Sequence, residues 1–211
     1  MLARMTITLH HHPYTRAAGA LWALEEAGVD YELTYVDIMS GEQKQPGLKG
    51  YNPMGKVPTL VDGETVVTEA AAIALYLGDR YGLGRVAPLP DDPQRGAYLR
   101  WSFYAPSVIE PGCMAKSSGW EFKAAQAGFG AYDEMLDTIS AAIGDGPWLL
   151  GEQFSMADVV FGGTVRWMTM FGMLEKRDEY MAYVERLDAR PASERARERN
   201  EQIIEERGLK R

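Results

Sequence analysis

Thr6 to His10 is a β-branched and apolar stretch that halts near Pro13, and it predicts a first strand. From Thr15 the spacing changes: Ala17, Ala20, Leu21, Leu24 and Ala27 recur at the helical period, with Gly28 as the stop. Tyr31, Leu33 and Tyr35 alternate with polar residues and predict a second strand. Ser40 to Asn52 is polar, charged and glycine-bearing, which reads as a loop with room for a short helix. Val57 to Val61 and Glu64 to Val67 flank Asp62-Gly63, a turn signature that requires positive φ, so two antiparallel strands are expected there. Thr68 precedes a helix over Ala70 to Tyr81, with Glu69 near its start and Gly82 after its end.

Gly84 to Pro93 holds three prolines, which suit neither helix nor strand interiors, and reads as a linker. Beyond it the period is helical: Ala97, Trp101, Tyr104, Ala105 and Val108 on one segment, with Pro106 and Pro111 expected to bend it around Glu110. Phe122, Phe129, Tyr132, Leu136, Ile139 and Ile143 are expected on the next helix. No further strand is expected. Ser155 and Asp158 form the pattern of a capping box, with Phe154 and Val159 as its staple. Arg190 to Arg211 interleaves Arg and Glu and reads as a solvated terminal helix. The expected division is an α/β domain over residues 1–83, a linker over 84–93 and an all-α domain over 94–211.

Composition narrows the partners. At 211 residues, 46% hydrophobic and 25% charged, the chain has the balance of a soluble globular protein. A net charge of -8 provides no basic field to hold a phosphate backbone, so nucleic acid is not an expected partner. No apolar run reaches the ~20 residues of a membrane span. The first residues, MLARMTITLHHHP, lack the apolar stretch of a secretory signal, and a cytoplasmic location is expected. Cys113 is the single cysteine, which excludes an intramolecular disulfide and a multi-cysteine zinc site, and its apolar surroundings predict a buried, inert thiol. His10, His11 and His12 are adjacent on a strand, so their side chains diverge and no metal is expected.

Four segments together resemble the glutathione transferase family: Leu24-Glu25-Glu26-Ala27-Gly28-Val29-Asp30-Tyr31, Asn52-Pro53-Met54-Gly55-Lys56-Val57-Pro58, Thr68-Glu69-Ala70-Ala71-Ala72-Ile73, and Trp148 to Asp158. The resemblance runs over roughly residues 6 to 192, and it looks closest to bacterial and zeta-like classes. It implies a thioredoxin-like N-terminal domain with a mixed four-stranded sheet, then a helical domain. It also implies glutathione as co-substrate, an electrophile in the cleft between the domains, and a homodimer. On this reading a cis bond at Val57-Pro58 turns the backbone of Val57 outward to pair with the cysteinyl part of glutathione as an added strand does. Glu69 accepts from the γ-glutamyl ammonium, and the backbone of Ala70, at a helix N-terminus, faces its carboxylate. The family usually has serine where Ala70 stands, so one hydroxyl contact is missing. Lys56, or a lysine of the Ser40 to Asn52 loop, is placed to meet the glycine carboxylate.

A free thiol with pKa about 8.5 is mostly protonated at neutral pH and needs a donor or positive potential to become a nucleophile. The resemblance points to the loop after the first strand, which offers Tyr14, Thr15, Arg16 and His12, with the Tyr14 phenol placed first. Arg16 stands near the position where one bacterial class keeps a cysteine, so a mixed-disulfide mechanism there is excluded. Trp101, Tyr104 and Val108, with Trp167 and Phe171, are the expected contacts of a small hydrophobic electrophile. The rivals to transfer are a glutathione-dependent reductase, peroxidase or isomerase, and a binding or assembly protein that keeps the fold without turnover.

Overall fold

In the computed structural model, which describes residues 6–144 and 146–210, the first strand β1 spans Ile7–His11 and buries alternate residues. Helix α1 (Ala17–Ala27) follows and ends at Gly28, then strand β2 (Tyr31–Tyr35). The polar stretch beyond it contains a 3-10 turn, Glu42–Lys44, and the short helix α2 (Pro46–Lys49). Strands β3 (Thr59–Asp62) and β4 (Thr65–Thr68) form the hairpin, and α3 spans Ala70–Tyr81. The sheet order is β2-β1-β3-β4, with β1 and β2 parallel and the other pairs antiparallel. Asp62 pairs with Thr65, so the two loop residues are Gly63-Glu64, one position beyond the expected Asp62-Gly63. Gly63 carries the positive φ, 62°, that the turn needs.

Apolar residues on one face of β1 and β3, Ile7, Leu9 and Leu60, are buried together with Leu21 and Leu24 of α1 and Ile73 and Leu77 of α3. At about 25 cal/mol per Å² this burial is the main source of stability for the first unit.

Helix α4 spans Arg95–Tyr104 and runs through a π turn, Ala105–Ile109, into α5 (Glu110–Ser117). Pro106 lacks an N–H and cannot continue the α ladder, and the Glu110 N–H reaches back to the Ala105 carbonyl, five residues away. The expected bend at this place is thus a change of helical pitch. Phe122 and Phe129, expected on a helix, lie outside one. Only a 3-10 turn, Ala124–Gln126, forms between Ser118 and Ala131, and α6 begins at Tyr132 and ends at Ile143. Gly119, Gly128 and Gly130 in that stretch lower its helical propensity below what the two aromatics support.

Helix α7 (Met156–Met170) opens with the expected capping box: Asp158 accepts from the Ser155 N–H at 2.9 Å, and the Ser155 side chain caps the helix in return. Asp158 is fully buried and also accepts from the Leu149 N–H at 2.9 Å and the Tyr183 hydroxyl at 2.8 Å, so the box also fastens the chain before α7 and helix α8 (Asp178–Asp188).

The last helix, α9, spans Pro191–Arg207. The described residues fall into two units, one running to Gly82 and resuming at Pro191, the other Leu83–Arg190. The helical domain expected over 94–211 therefore differs at both ends, as its unit runs Leu83–Arg190. Residues 84–93, expected as a linker, pack within the second unit, where Val86 and Ala87 are buried and the Val86 carbonyl accepts from the Met156 N–H at 2.8 Å. The terminal helix, assigned in sequence to the helical domain, packs on α1 instead. Ala192, Ala196 and Ile203 are buried, Arg195 pairs with Glu25 at 2.7 Å, and Asn200 accepts from His11 Nε2 at 2.8 Å.

Candidate functional site

Strand register brings three segments to one end of the sheet. His10 stands opposite Thr59, and Thr59 stands opposite Thr68. Since paired strands lie about 4.8 Å apart, the loop after β1, the Val57-Pro58 approach to β3 and Glu69 at the start of α3 are neighbours.

The Val57–Pro58 bond is cis. Pro58 is buried and Val57 half-buried, and among the described residues neither the N–H nor the C=O of Val57 has a hydrogen-bond partner. The approach to this bend is fixed by residues whose role sequence reading missed. The buried Asn52 side chain accepts from the Met54 N–H at 3.0 Å and donates to the Lys56 carbonyl at 3.0 Å. Thr59 Oγ1 donates to the same carbonyl at 3.0 Å. Gly55 has φ 55°, and a Cβ there would stand 2.6 Å from the Gln43 carbonyl oxygen. The Asn-Pro dipeptide was the available signal, because an Asn side chain at that place tends to bond the backbone two residues on. Lys44 donates to the Met54 carbonyl at 2.8 Å, whereas the Lys56 side chain is exposed.

Glu69 has φ 67° and ψ 123°, and it is the one non-glycine at positive φ among the described residues. Such a conformation costs about 1–3 kcal/mol and is retained where the surroundings or a ligand require it. Its carbonyl accepts the first intrahelical bond, from Ile73 N–H at 2.9 Å, while its exposed carboxylate makes no side-chain cap. Among the described residues the N–H groups of Ala70, Ala71 and Ala72 have no partner. The start of α3 therefore presents donors and the positive end of a helix dipole to an anion, beside a carboxylate suited to an ammonium.

In the loop after β1, the Thr15 hydroxyl donates to the His12 carbonyl at 2.7 Å and accepts from the Ala17 N–H at 3.1 Å, so its one proton is already placed. The Tyr14 N–H donates to His12 Nδ1 at 3.2 Å, which leaves the proton of the neutral ring on Nε2. That Nε2 is buried without a partner among the described residues, and burial holds the His12 pKa below its ordinary value against the opposing pull of Asp37. The Tyr14 phenol is half-buried and makes no hydrogen bond among the described residues. Arg16 is half-buried immediately ahead of α1.

The three adjacent histidines diverge. His10 faces the Tyr51 ring at 5.4 Å, His11 bonds Asn200, and His12 lies 5.5 Å from the Tyr35 ring. Among the described residues no three His, Cys, Asp or Glu side chains are grouped to hold a metal ion. Cys113 is fully buried, and burial, with the nearby Glu110 charge, pushes its thiol up to about 11, so it is mostly protonated at neutral pH.

In the second unit Trp101 is only 9% exposed and packs edge-on against Tyr104 and Phe161, with centroids 5.5 and 5.8 Å away. It is first a core residue, whereas Tyr104 and Val108 are half-buried. Trp167 and Phe171 lie 4.9 Å apart at the end of α7, with Phe171 exposed.

The glutathione S-transferase N-terminal domain family matches residues 5–79, and the glutathione S-transferase C-terminal domain family matches residues 122–198. A glutathione S-transferase of Arabidopsis thaliana is 29% identical over 193 residues, covering 83% of this chain and 76% of its own. One of Drosophila melanogaster is 31% identical over 160 residues, covering 72% of each. The crystal structure of the theta class glutathione S-transferase from Xanthomonas axonopodis pv. citri, with glutathione bound, superposes with a TM-score of 0.72 at 30% identity, covering 91% of this chain and 97% of that one. Sequence and fold thus agree, and the chain belongs to the glutathione S-transferase family.

Proposed function

We propose that this chain is a glutathione transferase, which binds glutathione at the β1, β3 and α3 edge of the first unit and activates its thiol for attack on a small hydrophobic electrophile. The observation that carries the reading is the unpaired main-chain N–H and C=O of Val57 beside the open N-terminus of α3 and the positive-φ Glu69. The cysteinyl residue of glutathione adds to Val57 as a strand adds to an edge, each of the two bonds contributing about 0.5–1.5 kcal/mol. Its γ-glutamyl carboxylate faces the N–H groups at Ala70, its ammonium meets Glu69, and the glycine carboxylate meets Lys56.

The glutathione thiol loses its proton to solvent, and the Tyr14 phenol donates a hydrogen bond to the resulting thiolate and stabilises it, a role for which Thr15 is less free because its proton is bound to the His12 carbonyl. The positive end of α1 adds to the same effect. The thiolate then attacks an electrophilic carbon; a C–S bond forms, and a leaving group departs with its electron pair or the adduct takes up a proton. Family resemblance supports a homodimer acting in the cytoplasm, and among the described residues no helix is long and apolar enough to cross a membrane.

Calorimetric titration with glutathione and a chlorodinitrobenzene assay test the reading. Millimolar or tighter binding with turnover is expected, and Tyr14→Phe should lower turnover roughly a hundredfold, as loss of one donor to a developing anion does, and abolish the ultraviolet thiolate absorbance of the complex. Unchanged absorbance would remove Tyr14 from the mechanism. Two observations favour the second reading, a glutathione-binding or assembly protein without turnover: Ala70 in place of the usual serine, and the occupied Thr15 hydroxyl. Binding without conjugation would select it, and no binding at millimolar glutathione would defeat both the transferase and this glutathione-binding form.

A further inference from the structure

We propose that His12 is a positioning residue of the loop after β1: its neutral ring holds the Tyr14 main chain and phenol ring in place for the glutathione sulfur, and a proton on that ring releases them. The inference rests on the transferase reading, and it gives that reading a residue that acts through Tyr14 rather than on the sulfur. His12 is 2% exposed, with the Tyr14 ring 6.0 Å and the Tyr35 ring 5.5 Å from its own. Its Nδ1 accepts from the Tyr14 N–H at 3.2 Å, two residues on, the reach of an Asx turn. Its carbonyl accepts from the Thr15 hydroxyl at 2.7 Å, and that hydroxyl accepts in turn from the Ala17 N–H at 3.1 Å. One residue thus fastens the loop at two points ahead of α1. Among the described residues the Tyr14 phenol makes no hydrogen bond, so the main chain of the loop and the His12 ring set where it stands.

A second observation separates this role from packing. The Nε2 proton of His12 is buried without a partner among the described residues. An unpaired buried donor is destabilising, and a phenylalanine would fill the same space without one; what the histidine adds is the acceptor for Tyr14. A proton on Nδ1 turns that acceptor into a donor facing the Tyr14 N–H, and the bond is lost. Among the described residues the titratable groups around the ring are His11 on β1, Tyr14 on its own loop, Tyr35 at the end of β2 and Asp37 just beyond it. Burial lowers the His12 pKa from 6.5 and outweighs the Asp37 charge, so the ring is neutral and the loop is set at neutral pH.

Conjugation of chlorodinitrobenzene by the parent, His12→Phe and His12→Asn, followed from about pH 7.5 down to about pH 5, tests this. Two-bond proton–nitrogen NMR of the histidine rings of the parent adds a readout that needs neither turnover nor a variant, and it should find the His12 proton on Nε2. His12→Phe keeps a ring and loses the acceptor, so at about pH 7.5 kcat should fall roughly tenfold while KM for glutathione stays within about twofold. His12→Asn keeps an acceptor at the same reach and should stay within about threefold of the parent. Below pH 6.5 every form loses thiolate, but the parent should lose roughly tenfold more kcat than His12→Asn, whose amide does not titrate. Circular dichroism melts identify a variant that has not folded. A parent that conjugates while folded His12→Phe matches its kcat, an acid limb shared by the parent and His12→Asn, or a His12 proton found on Nδ1 overturns the proposal and leaves the transferase reading standing. A parent that fails to bind glutathione, or binds it without conjugating, overturns that reading and the proposal with it.

Discussion

Glu69 couples stability to binding in a way that one substitution can separate. Its φ of 67° and ψ of 123° lie where a side chain costs about 1–3 kcal/mol relative to glycine. Glycine at this position removes that cost but widens the unfolded ensemble by about 0.4–1 kcal/mol. Glu69→Gly should therefore stabilise the fold by up to about 2.6 kcal/mol, the difference between those two ranges. The same substitution removes the carboxylate proposed to accept from the γ-glutamyl ammonium, a charged hydrogen bond worth about 1.5–3 kcal/mol. Glutathione affinity should then fall roughly tenfold to a hundred-and-fiftyfold, at 1.36 kcal/mol per decade. Glu69→Gln keeps the backbone cost and loses the charge, so it should weaken binding without raising stability. Urea unfolding monitored by circular dichroism gives the first quantity and isothermal titration with glutathione the second. A Glu69→Gly variant that is less stable than the parent, or that binds glutathione equally well, would refute the reasoning.

Three further outcomes follow from the same geometry. Burial lowers the pKa of His11 from 6.5 to about 4, so an unfolded chain takes up a proton across that window while the folded one resists it; stability should be fully present above pH 6.5 and fall by up to about 3 kcal/mol on acidification to pH 4. Unfolding curves of the parent and His11→Gln at several pH values check this, and parallel pH profiles would exclude it. Ala70→Ser restores the hydroxyl usual in the family and should tighten glutathione binding by about 1 kcal/mol, close to fivefold; calorimetry showing no gain would place the γ-glutamyl group elsewhere. Gly55→Ala puts a Cβ 2.6 Å from the Gln43 carbonyl at a φ of 55°, so it should cost about 1–3 kcal/mol in urea unfolding and weaken glutathione binding as well, although the glycine touches no ligand.

The elements with strong local signals were legible in the sequence. Examples are the alternation of β1, the spacing of α1 and α3, the Gly63 turn displaced by one residue, and the capping box at Ser155 and Asp158. What escaped was decided by tertiary context. The partner of α9 could not be read from a charge-dense helix whose buried residues are Ala192, Ser193, Ala196 and Ile203, four modest residues among many arginines and glutamates. Phe122 and Phe129 keep a helix-like spacing in a segment that glycines hold open. The pitch change at Ala105–Ile109 was legible only as a bend at prolines, because sequence shows the missing N–H at Pro106 but not which carbonyl the later amides will choose.

The candidate site divides along the same line. Its proposed contacts at Val57 and Ala70 belong to the main chain, which no side-chain change deletes. Register and loop shape alone put them in place. Residues that hold the shape, Asn52, Gly55 and Thr59, bond to one another and to the Lys56 and Met54 backbone on either side of Gly55. On the proposed reading, side chains at Tyr14, Lys56 and Glu69 add activation and charge to a frame already built. It follows that substitutions at framing residues should damage binding more evenly across glutathione analogues than substitutions at Glu69, which reads only the γ-glutamyl end.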